Sequence, residues 1–377
     1  MRRASVLLLA LACLALACGT TAAAAKTTDA QVLKGLEGLV TSPGGPPGAI
    51  ATLYRDGKLT TLSTGRADIE KAAKPRATDH MRIASVAKAF SGAVALNLVR
   101  AGKLSLDDTI DKVLPSLPRA WGQVTLEELL HHTSGVPDYT KSDGFINQAK
   151  TDPRGYVSPR KVISWVAKRP LVFKPGSKYE YSNTDNIVVG LMVEAVTGAT
   201  YADELRQIVF GPTKLTQTTL PTRIKIPSPF IHGYLAATAT AGAEDVSELL
   251  SPSGAWASGG IVSTPEDLNA FIRADLGLKF FDRAQQQRQM NWWAGGESSP
   301  PGPGKNSAGL ALFRYQTRCG TVYGHTGNFP GYTQFAAATA DGSRAVTTTL
   351  NVPAPEGRPL VQLRRVQTEA VCDLLGR

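Results

Sequence analysis

The sequence is poor in several residues that mark particular protein classes. Only 4 of its 377 residues are cysteine and 5 are histidine, and the histidines show no metal-ligand spacing with acidic residues, so no metal or other cofactor is expected. After the N-terminus no apolar run reaches the ~20 residues of a transmembrane helix. No block of lysine and arginine is interleaved with aromatic residues, which disfavours a nucleic-acid partner.

The first 25 residues have the features of an export signal. Two arginines at positions 2 and 3 precede an apolar stretch over residues 6–17, and three alanines at 23–25 offer a small-residue cleavage site. We therefore predict secretion. Lipid anchoring through Cys18 is the alternative, although Ala15 stands where lipoprotein signals usually have leucine.

Two cysteines, Cys319 and Cys372, remain after such a signal is removed. In an exported protein this pair predicts one disulfide. It would close a loop of roughly 50 residues, worth about 4 kcal/mol in chain entropy. Two buried free thiols are the other interpretation.

The remaining chain is basic. Residues 1–25 hold two arginines and no acids, so their removal leaves +8 of the formal charge of +10. This charge would suit an anionic wall or membrane surface outside the cell. Solubility alone explains it equally well.

Strand patterns lie at both ends of the chain and helical patterns in its middle. An Asp56-Gly57 turn joins two strands into a hairpin. We predict an α+β fold with an antiparallel sheet built from both chain ends and flanked by helices. The domains would be 26–102 with 228–377, and an inserted, mainly helical 103–227. Predicted strands are 48–54, 59–65, 310–315, 321–325, 332–338 and 344–350, and the main helices are 29–41, 85–101, 183–196 and 359–375.

The run Ser85-Val86-Ala87-Lys88 places a hydroxyl and an amine one helical turn apart. A serine is a weak nucleophile until a neighbouring base takes its proton, and a lysine in this position can do so. The same spacing recurs in Ser158-Pro159-Arg160-Lys161. There, the proline after the serine indicates a helix N-terminus capped by Ser158.

Two further runs carry polar groups of the kind found in clefts. Tyr181-Ser182-Asn183 combines a phenol that can relay a proton with an amide that can hold a carbonyl or a lysine. Helix capping by Asn183 is the simpler alternative. His325-Thr326-Gly327 ends a predicted strand with a hydrogen-bond donor and a glycine that lets a ligand approach the backbone.

Together, in this order, the three runs resemble the serine penicillin-recognising enzymes, which include class C β-lactamases, low-molecular-weight D-Ala-D-Ala carboxypeptidases and related esterases (peptidase S12-like). A Leu-Leu-His-His-Thr-Ser-Gly run at 129–135 strengthens the likeness. The chain looks closest to secreted actinobacterial D-Ala-D-Ala carboxypeptidases. That likeness rests on residues 179–183, on Cys319 and Cys372, and on the segment around Trp256, a residue that would line the cleft or simply belong to the core.

The resemblance implies a β-lactamase/transpeptidase-like fold and an acyl-enzyme at Ser85. The oxyanion would be held by the N–H groups of Ser85 and Asn328. Lys88 must lose its proton to act as base, so its pKa would have to fall from about 10.4 to about 7. A Tyr181 phenolate is the alternative base. The residues implied in substrate binding are Asn183, Trp256, His325, Thr326, Gly327, Asn328 and Arg314.

One departure from the family pattern concerns the arginine that binds a peptide's terminal carboxylate. Its place falls on Phe313 or Arg314, which face opposite sides of a strand. We expect a monomeric D-Ala-D-Ala carboxypeptidase or transpeptidase acting on peptidoglycan stem peptides and acylated by β-lactams. An inward Phe313 would favour an esterase, a D-aminopeptidase or a class C-like β-lactamase. A non-catalytic penicillin-binding or wall-binding module is the alternative of another class.

Overall fold

The computed structural model describes residues 27–235 and 242–377. The predicted export signal and Cys18 lie outside the described residues. The strands are β1 Gly48–Arg55, β2 Lys58–Gly65, β3 Met81–Arg82, β4 Tyr234–Leu235, β5 Glu244–Asp245, β6 Val262–Ser263, β7 Trp293–Ala294, β8 Lys305–Ala308, β9 Phe313–Thr317, β10 Gly320–Phe329, β11 Tyr332–Ala338 and β12 Ala345–Leu350.

The α-helices are α1 Asp29–Val40, α2 Ala87–Arg100, α3 Ile110–Val113, α4 Leu126–Leu130, α5 Asp143–Thr151, α6 Pro159–Ser164, α7 Asn183–Thr197, α8 Tyr201–Glu204, α9 Gly211–Thr213, α10 Trp256–Gly259, α11 Pro265–Leu276, α12 Arg283–Gln289 and α13 Gly357–Leu374. Shorter 3₁₀ turns include Ala84–Val86 and Tyr139–Lys141. A π-helical segment occupies Leu205–Phe210.

Eight strands form one sheet in the order β2-β1-β12-β11-β10-β9-β8-β7. Every neighbouring pair is antiparallel. The early hairpin of β1 and β2 therefore joins the late strands through the β1–β12 pair, since the hydrophobic face of each part needs the other to complete the sheet. The predicted α+β architecture, with its antiparallel sheet built from both chain ends, is confirmed.

Helices cover both faces of this sheet. On one face Leu36 of α1 and Val366 of α13 belong to a core cluster with the strands. On the other face Phe90 of α2 stacks on Phe271 of α11, with ring centroids 3.4 Å apart. The core on this second face runs from α2 through the helices of the middle region and into α11. The division into a sheet domain and an inserted helical domain stays a prediction.

Local sequence signals account for several element boundaries. Asp56 and Gly57 both have positive φ, 52° and 77°, as a two-residue turn matching the twist of a hairpin requires. Residues 332–338 form β11, as predicted. Strands β7 and β8 were not predicted, and β8 begins at the end of a proline- and glycine-rich stretch over residues 298–306.

Cys319, just before β10, and Cys372, in α13, form the predicted disulfide, with their Cα atoms 5.1 Å apart. The bond fixes the last helix to the sheet, so the prediction of one bridge rather than two free thiols is confirmed. Within residues 27–235 and 242–377, none of the helices combines the length and apolar character needed to span a bilayer.

Candidate active site

Ser85 lies in the 3₁₀ turn that leads into α2. The preceding residue, Ala84, has φ 51°, a left-handed conformation that costs energy for a residue with a Cβ and often occurs at functional sites. The turn packs against β10 at Gly327. A Cβ there would lie 3.0 Å from the Ser85 nitrogen and 2.7 Å from the Ile83 oxygen, so only glycine lets the strand approach so closely.

Lys88 projects from the first turn of α2 and is fully buried. Its Nζ lies 2.8 Å from Asn183 Oδ1, 2.7 Å from the Ser258 carbonyl oxygen and 3.1 Å from Ser85 Oγ. A neutral amine has two N–H donors and one electron pair. If Asn183 and Ser258 accept both donors, the electron pair faces the Ser85 hydroxyl, which is the geometry a base requires.

The charge state of Lys88 is set mainly by its burial. Loss of solvent lowers the pKa of Lys88 to about 7, while the carboxylates of Asp138 and Asp185 act in the opposite direction. The Lys88 amine is therefore uncharged in a substantial fraction of the protein molecules near neutral pH. This matches the shift that the sequence argument demanded of a lysine base.

Tyr181 lies beside the same lysine, with Lys88 Nζ 4.9 Å from the ring centroid. Its hydroxyl is buried and makes no hydrogen bond among the described residues. Burial raises the pKa of Tyr181 far above its usual value, although the nearby Ser85 hydroxyl offsets part of the effect. The phenol is thus protonated near neutral pH and suits a proton relay better than a phenolate base.

Asn183 is the first residue of α7, and the N-cap position belongs to Ser182. The alternative of Asn183 as a helix cap is therefore wrong. Its side chain instead connects the amine of Lys88 with the carboxyl group of Asp138: Oδ1 accepts from Lys88, and Nδ2 donates to Asp138 Oδ2 at 3.1 Å.

The Leu-Leu-His-His-Thr-Ser-Gly run holds the start of α7 in place. His132 Nδ1 lies 2.8 Å from Asp185 Oδ2, and Ser134 Oγ donates to Asp185 Oδ1 at 2.6 Å. The His132 ring also packs against Tyr181, with centroids 4.4 Å apart. These buried contacts on the first turn of α7 orient the loop that carries Tyr181 and Asn183.

His325, Thr326 and Gly327 occupy the middle of β10. Burial lowers the pKa of His325 to about 3, with a further contribution from Lys88, so the ring is neutral. Its centroid lies 6.4 Å from that of Tyr181. Thr326 Oγ1 donates to the Pro300 carbonyl oxygen. Within the described part of the chain, no three metal-ligating side chains are grouped to hold an ion.

A cleft of about 720 Å³ opens at Ser85. Tyr181, Asn183 and Asn328 line it together with Ser85. Another part of its lining is apolar and aromatic and consists of Tyr139, Phe145, Val157, Trp165, Leu250 and Phe329. The cleft therefore joins a polar reacting centre to a region that accepts an apolar group.

Asn183 and Asn328 line this cleft, whereas the other proposed substrate-binding residues are not among its lining residues; these are Trp256, His325, Thr326, Gly327 and Arg314. Trp256 packs into the helical core, where a Cβ on Gly190 would lie 2.6 Å from its ring, and its centroid is 5.1 Å from that of Tyr201. Arg314 donates to Ser307 Oγ at 3.2 Å, and its guanidinium lies over the Trp292 ring.

At the neighbouring position, the ring centroid of Phe313 lies 4.9 Å from that of His325. Phe313 is thus the residue of this pair that packs beside the site. Among the described residues lining the cleft, the one basic side chain is Lys141.

Asp138 lines the cleft and contacts Asn183, although no sequence pattern singled it out as a site residue. The available signal was its position three residues after the conspicuous 129–135 run. The second Ser-x-x-Lys run behaves as predicted, since Ser158 Oγ accepts the Lys161 N–H at 3.2 Å and caps α6.

Comparison with known families gives a match over most of the chain. The family model described as Beta-lactamase matches residues 36–369.

The chain is 31% identical over 179 residues to Protein flp of Staphylococcus aureus (strain MW2), which is 46% of this chain and 34% of that protein. It is 24% identical over 283 residues to Penicillin-binding protein 4* of Bacillus subtilis (strain 168), covering 72% of this chain and 60% of that protein. The matches thus span only about a third to three fifths of these relatives.

Among solved structures, a D-stereospecific amidohydrolase from Streptomyces sp. superposes with a TM-score of 0.75 at 28% identity. The superposition covers 89% of this chain and 98% of that chain. The likeness therefore extends over nearly the whole of that enzyme, whereas it covers only part of the two curated relatives.

Proposed function

Because the chain belongs to the Beta-lactamase family, we propose that it is a serine hydrolase that forms an acyl-enzyme at Ser85 with substrates whose scissile amide follows a D-amino acid. The observation that carries this proposal is the contact of Lys88 with Ser85, Asn183 and Ser258. It supplies a buried, partly neutral amine at hydrogen-bond distance from a serine hydroxyl.

The reaction follows from these positions. Ser85 Oγ bonds to the substrate carbonyl carbon as its proton passes to Lys88 Nζ, and the oxyanion takes hydrogen bonds from the N–H groups of Ser85 and Asn328. The lysine proton then reaches the leaving nitrogen through the Tyr181 hydroxyl, and the carbon–nitrogen bond breaks. Water attacks the resulting ester as one of its protons passes to Lys88 Nζ. The bond between the carbonyl carbon and Ser85 Oγ then breaks, Ser85 Oγ takes the proton from Lys88, and the acid is released.

The substrate assignment rests on the cleft. Arg314 contacts Ser307 and Trp292, so a free terminal carboxylate has Lys141 as its nearest basic partner among the lining residues described. Phe145 and Trp165, with ring centroids 6.3 Å apart, offer an apolar wall for a side chain. These features, with the likeness to a D-stereospecific amidohydrolase, favour amides over peptides that end in a free carboxylate.

A D-Ala-D-Ala carboxypeptidase or transpeptidase acting on peptidoglycan stem peptides is the second candidate. The motif set and the likeness to Penicillin-binding protein 4* favour it. Secretion, which we also propose, would place either enzyme at the cell wall, and the Cys319–Cys372 disulfide is typical of an oxidising compartment.

Labelling with a fluorescent penicillin, compared with Ser85→Ala as the control, tests the acyl-enzyme. Turnover of D-amino-acid amides, their L-enantiomers, an acyl-D-Ala-D-Ala peptide and a short-chain ester then ranks the candidates. We expect labelling of the unmodified protein alone and preference for the D-amides. Turnover of the free-acid peptide alone would support the carboxypeptidase, and turnover of the ester alone an esterase. Rapid loss of the label would indicate a β-lactamase. Absence of both labelling and turnover would contradict the proposal.

A further inference from the structure

Asp138 stands next to the reacting groups without touching Ser85 or Lys88 in the hydrogen-bond network. It follows the 129–135 run, is half-buried and lines the cleft. Its Oδ2 accepts from Asn183 Nδ2 at 3.1 Å. Its Oδ1 accepts from the backbone N–H and the hydroxyl of Thr140, both at 3.0 Å. The carboxylate is therefore held by its own 3₁₀ turn while it faces the asparagine.

We propose that Asp138 is a positioning residue that fixes the amide of Asn183 and thereby directs the electron pair of Lys88 at Ser85. The proposal rests on the acyl-enzyme function proposed above. It assigns a role to a side chain that neither contacts the nucleophile nor bonds to the base.

The orientation of the Asn183 amide decides what Lys88 can do. With its oxygen toward the lysine, the amide accepts one Nζ proton, as does the Ser258 carbonyl. Rotation by 180° would turn an N–H group toward Nζ, and the neutral amine would then accept from Asn183 instead of Ser85. The Asp138 carboxylate, which only accepts hydrogen bonds when ionised, opposes that rotation because it would then face the amide oxygen.

Asp138 also contributes charge to the site. Among the groups around Lys88, its carboxylate and that of Asp185 raise the lysine pKa against the effect of burial. Asp185 contacts His132 and Ser134, whereas Asp138 is the carboxylate bonded to the lysine's own partner. The titratable groups that face Lys88 are Asp138, Asp185, Tyr181, His132 and His325.

Asp138→Asn is the direct test, because it keeps the shape and removes the charge. In this variant the Thr140 N–H would still donate to the side-chain oxygen of residue 138. The new NH₂ group would then face Asn183 Nδ2, so that two hydrogen-bond donors would point at each other. We expect the plateau rate of acylation by a fluorescent penicillin to fall by about 10- to 100-fold, as for loss of a charged hydrogen bond. The acidic limb of the pH profile should move to lower pH, because the charge that raised the lysine pKa is gone.

Two matched variants separate positioning from folding. Asp143→Asn makes the same chemical change at an exposed carboxylate five residues further along the chain that does not line the cleft, so its plateau rate and pH limb should stay near those of the unmodified protein. Asp138→Glu should recover part of the rate lost in Asp138→Asn. If these variants have the same thermal unfolding midpoint as the unmodified protein, their differences in rate arise at the active site and not from altered folding.

The pKa of Lys88 tests the role of Asp138 independently of the proposed hydrolase function. NMR titration of isotope-labelled Lys88 reports its pKa without any turnover, and a lower pKa in Asp138→Asn is expected even if no substrate is found. An unchanged lysine pKa, or an unchanged plateau rate, would overturn the proposal. The proposal would also be overturned if Asp138→Asn slowed only the turnover of substrates with a free amine and left penicillin acylation unaffected, because Asp138 would then act by binding substrate.

Discussion

Gly327 lies directly behind Ser85: a Cβ on the glycine would be 3.0 Å from the Ser85 backbone nitrogen and 2.9 Å from the Cβ of Ala84. The N–H group on that nitrogen is one of the two expected oxyanion donors. The spacing between β10 and the nucleophile turn therefore decides whether the donor points at the substrate.

Gly327→Ala should slow acylation strongly, because the added methyl group forces strand and turn apart. Displacement of one oxyanion donor costs on the order of 100-fold or more in rate. Gly242→Ala is the matched control, since a Cβ there would have no atom of the described residues within 4 Å. Penicillin labelling kinetics measure the effect, and an unimpaired Gly327→Ala enzyme would show that the close approach is irrelevant.

Lys88→Ala should abolish acylation, and the unmodified protein should show an acidic limb near pH 7. The neutral amine is the base, and the pKa of Lys88 is lowered to about 7, so the rate rises with pH through that value and falls tenfold per pH unit below it. Labelling rates from pH 5 to 9 test this. Lys161→Ala, in the other Ser-x-x-Lys run, is the control expected to keep the full rate.

Tyr181→Phe should reduce the acylation rate by roughly 100-fold or more, as for loss of a general acid–base group, while leaving the acidic limb in place. Burial keeps the phenol protonated, so the limb belongs to Lys88. The pH profile of the variant is the measurement. Disappearance of the limb near pH 7 would instead identify Tyr181 as the titrating base.

Arg314→Ala should alter turnover of a D-amino-acid amide and of an acyl-D-Ala-D-Ala peptide by the same factor, because Arg314 contacts Ser307 and Trp292 outside the cleft lining. Lys141→Ala should raise KM for the free-acid peptide selectively. Steady-state kinetics on both substrates provide the comparison. A selective KM increase in Arg314→Ala would restore Arg314 as the carboxylate partner.

Replacing Cys319 and Cys372 together by serine should lower the free energy of unfolding by about 4 kcal/mol, since the bond closes a loop with a sequence separation of 53 residues. Denaturant unfolding measures the loss. A reducing agent should bring the unmodified protein toward the same midpoint. Penicillin labelling of the folded variant should persist, and its absence would show that the bridge also supports the site.

Local patterns were sufficient where the physical cause is local. The Asp56-Gly57 turn needs two left-handed residues, and Ser158 caps a helix whose first residue is proline. Both follow from steric and hydrogen-bonding preferences of a few neighbouring residues. Strands β7 and β8 were missed because they have only two and four residues, which is too short for an alternating pattern to stand out beside a proline- and glycine-rich stretch.

The sequence by itself determined the reacting groups, which are a serine and a lysine one turn apart and a tyrosine and an asparagine at the start of a helix. It also determined a fold assembled from both ends of the chain. The tertiary structure alone decided the rest. It placed Arg314 and Trp256 away from the cleft, brought Asp138 to Asn183, and buried Lys88 deeply enough to make its amine partly neutral. The reason is that pKa values, amide orientations and pocket walls depend on which distant segments exclude water from a side chain, and short sequence patterns do not specify that arrangement.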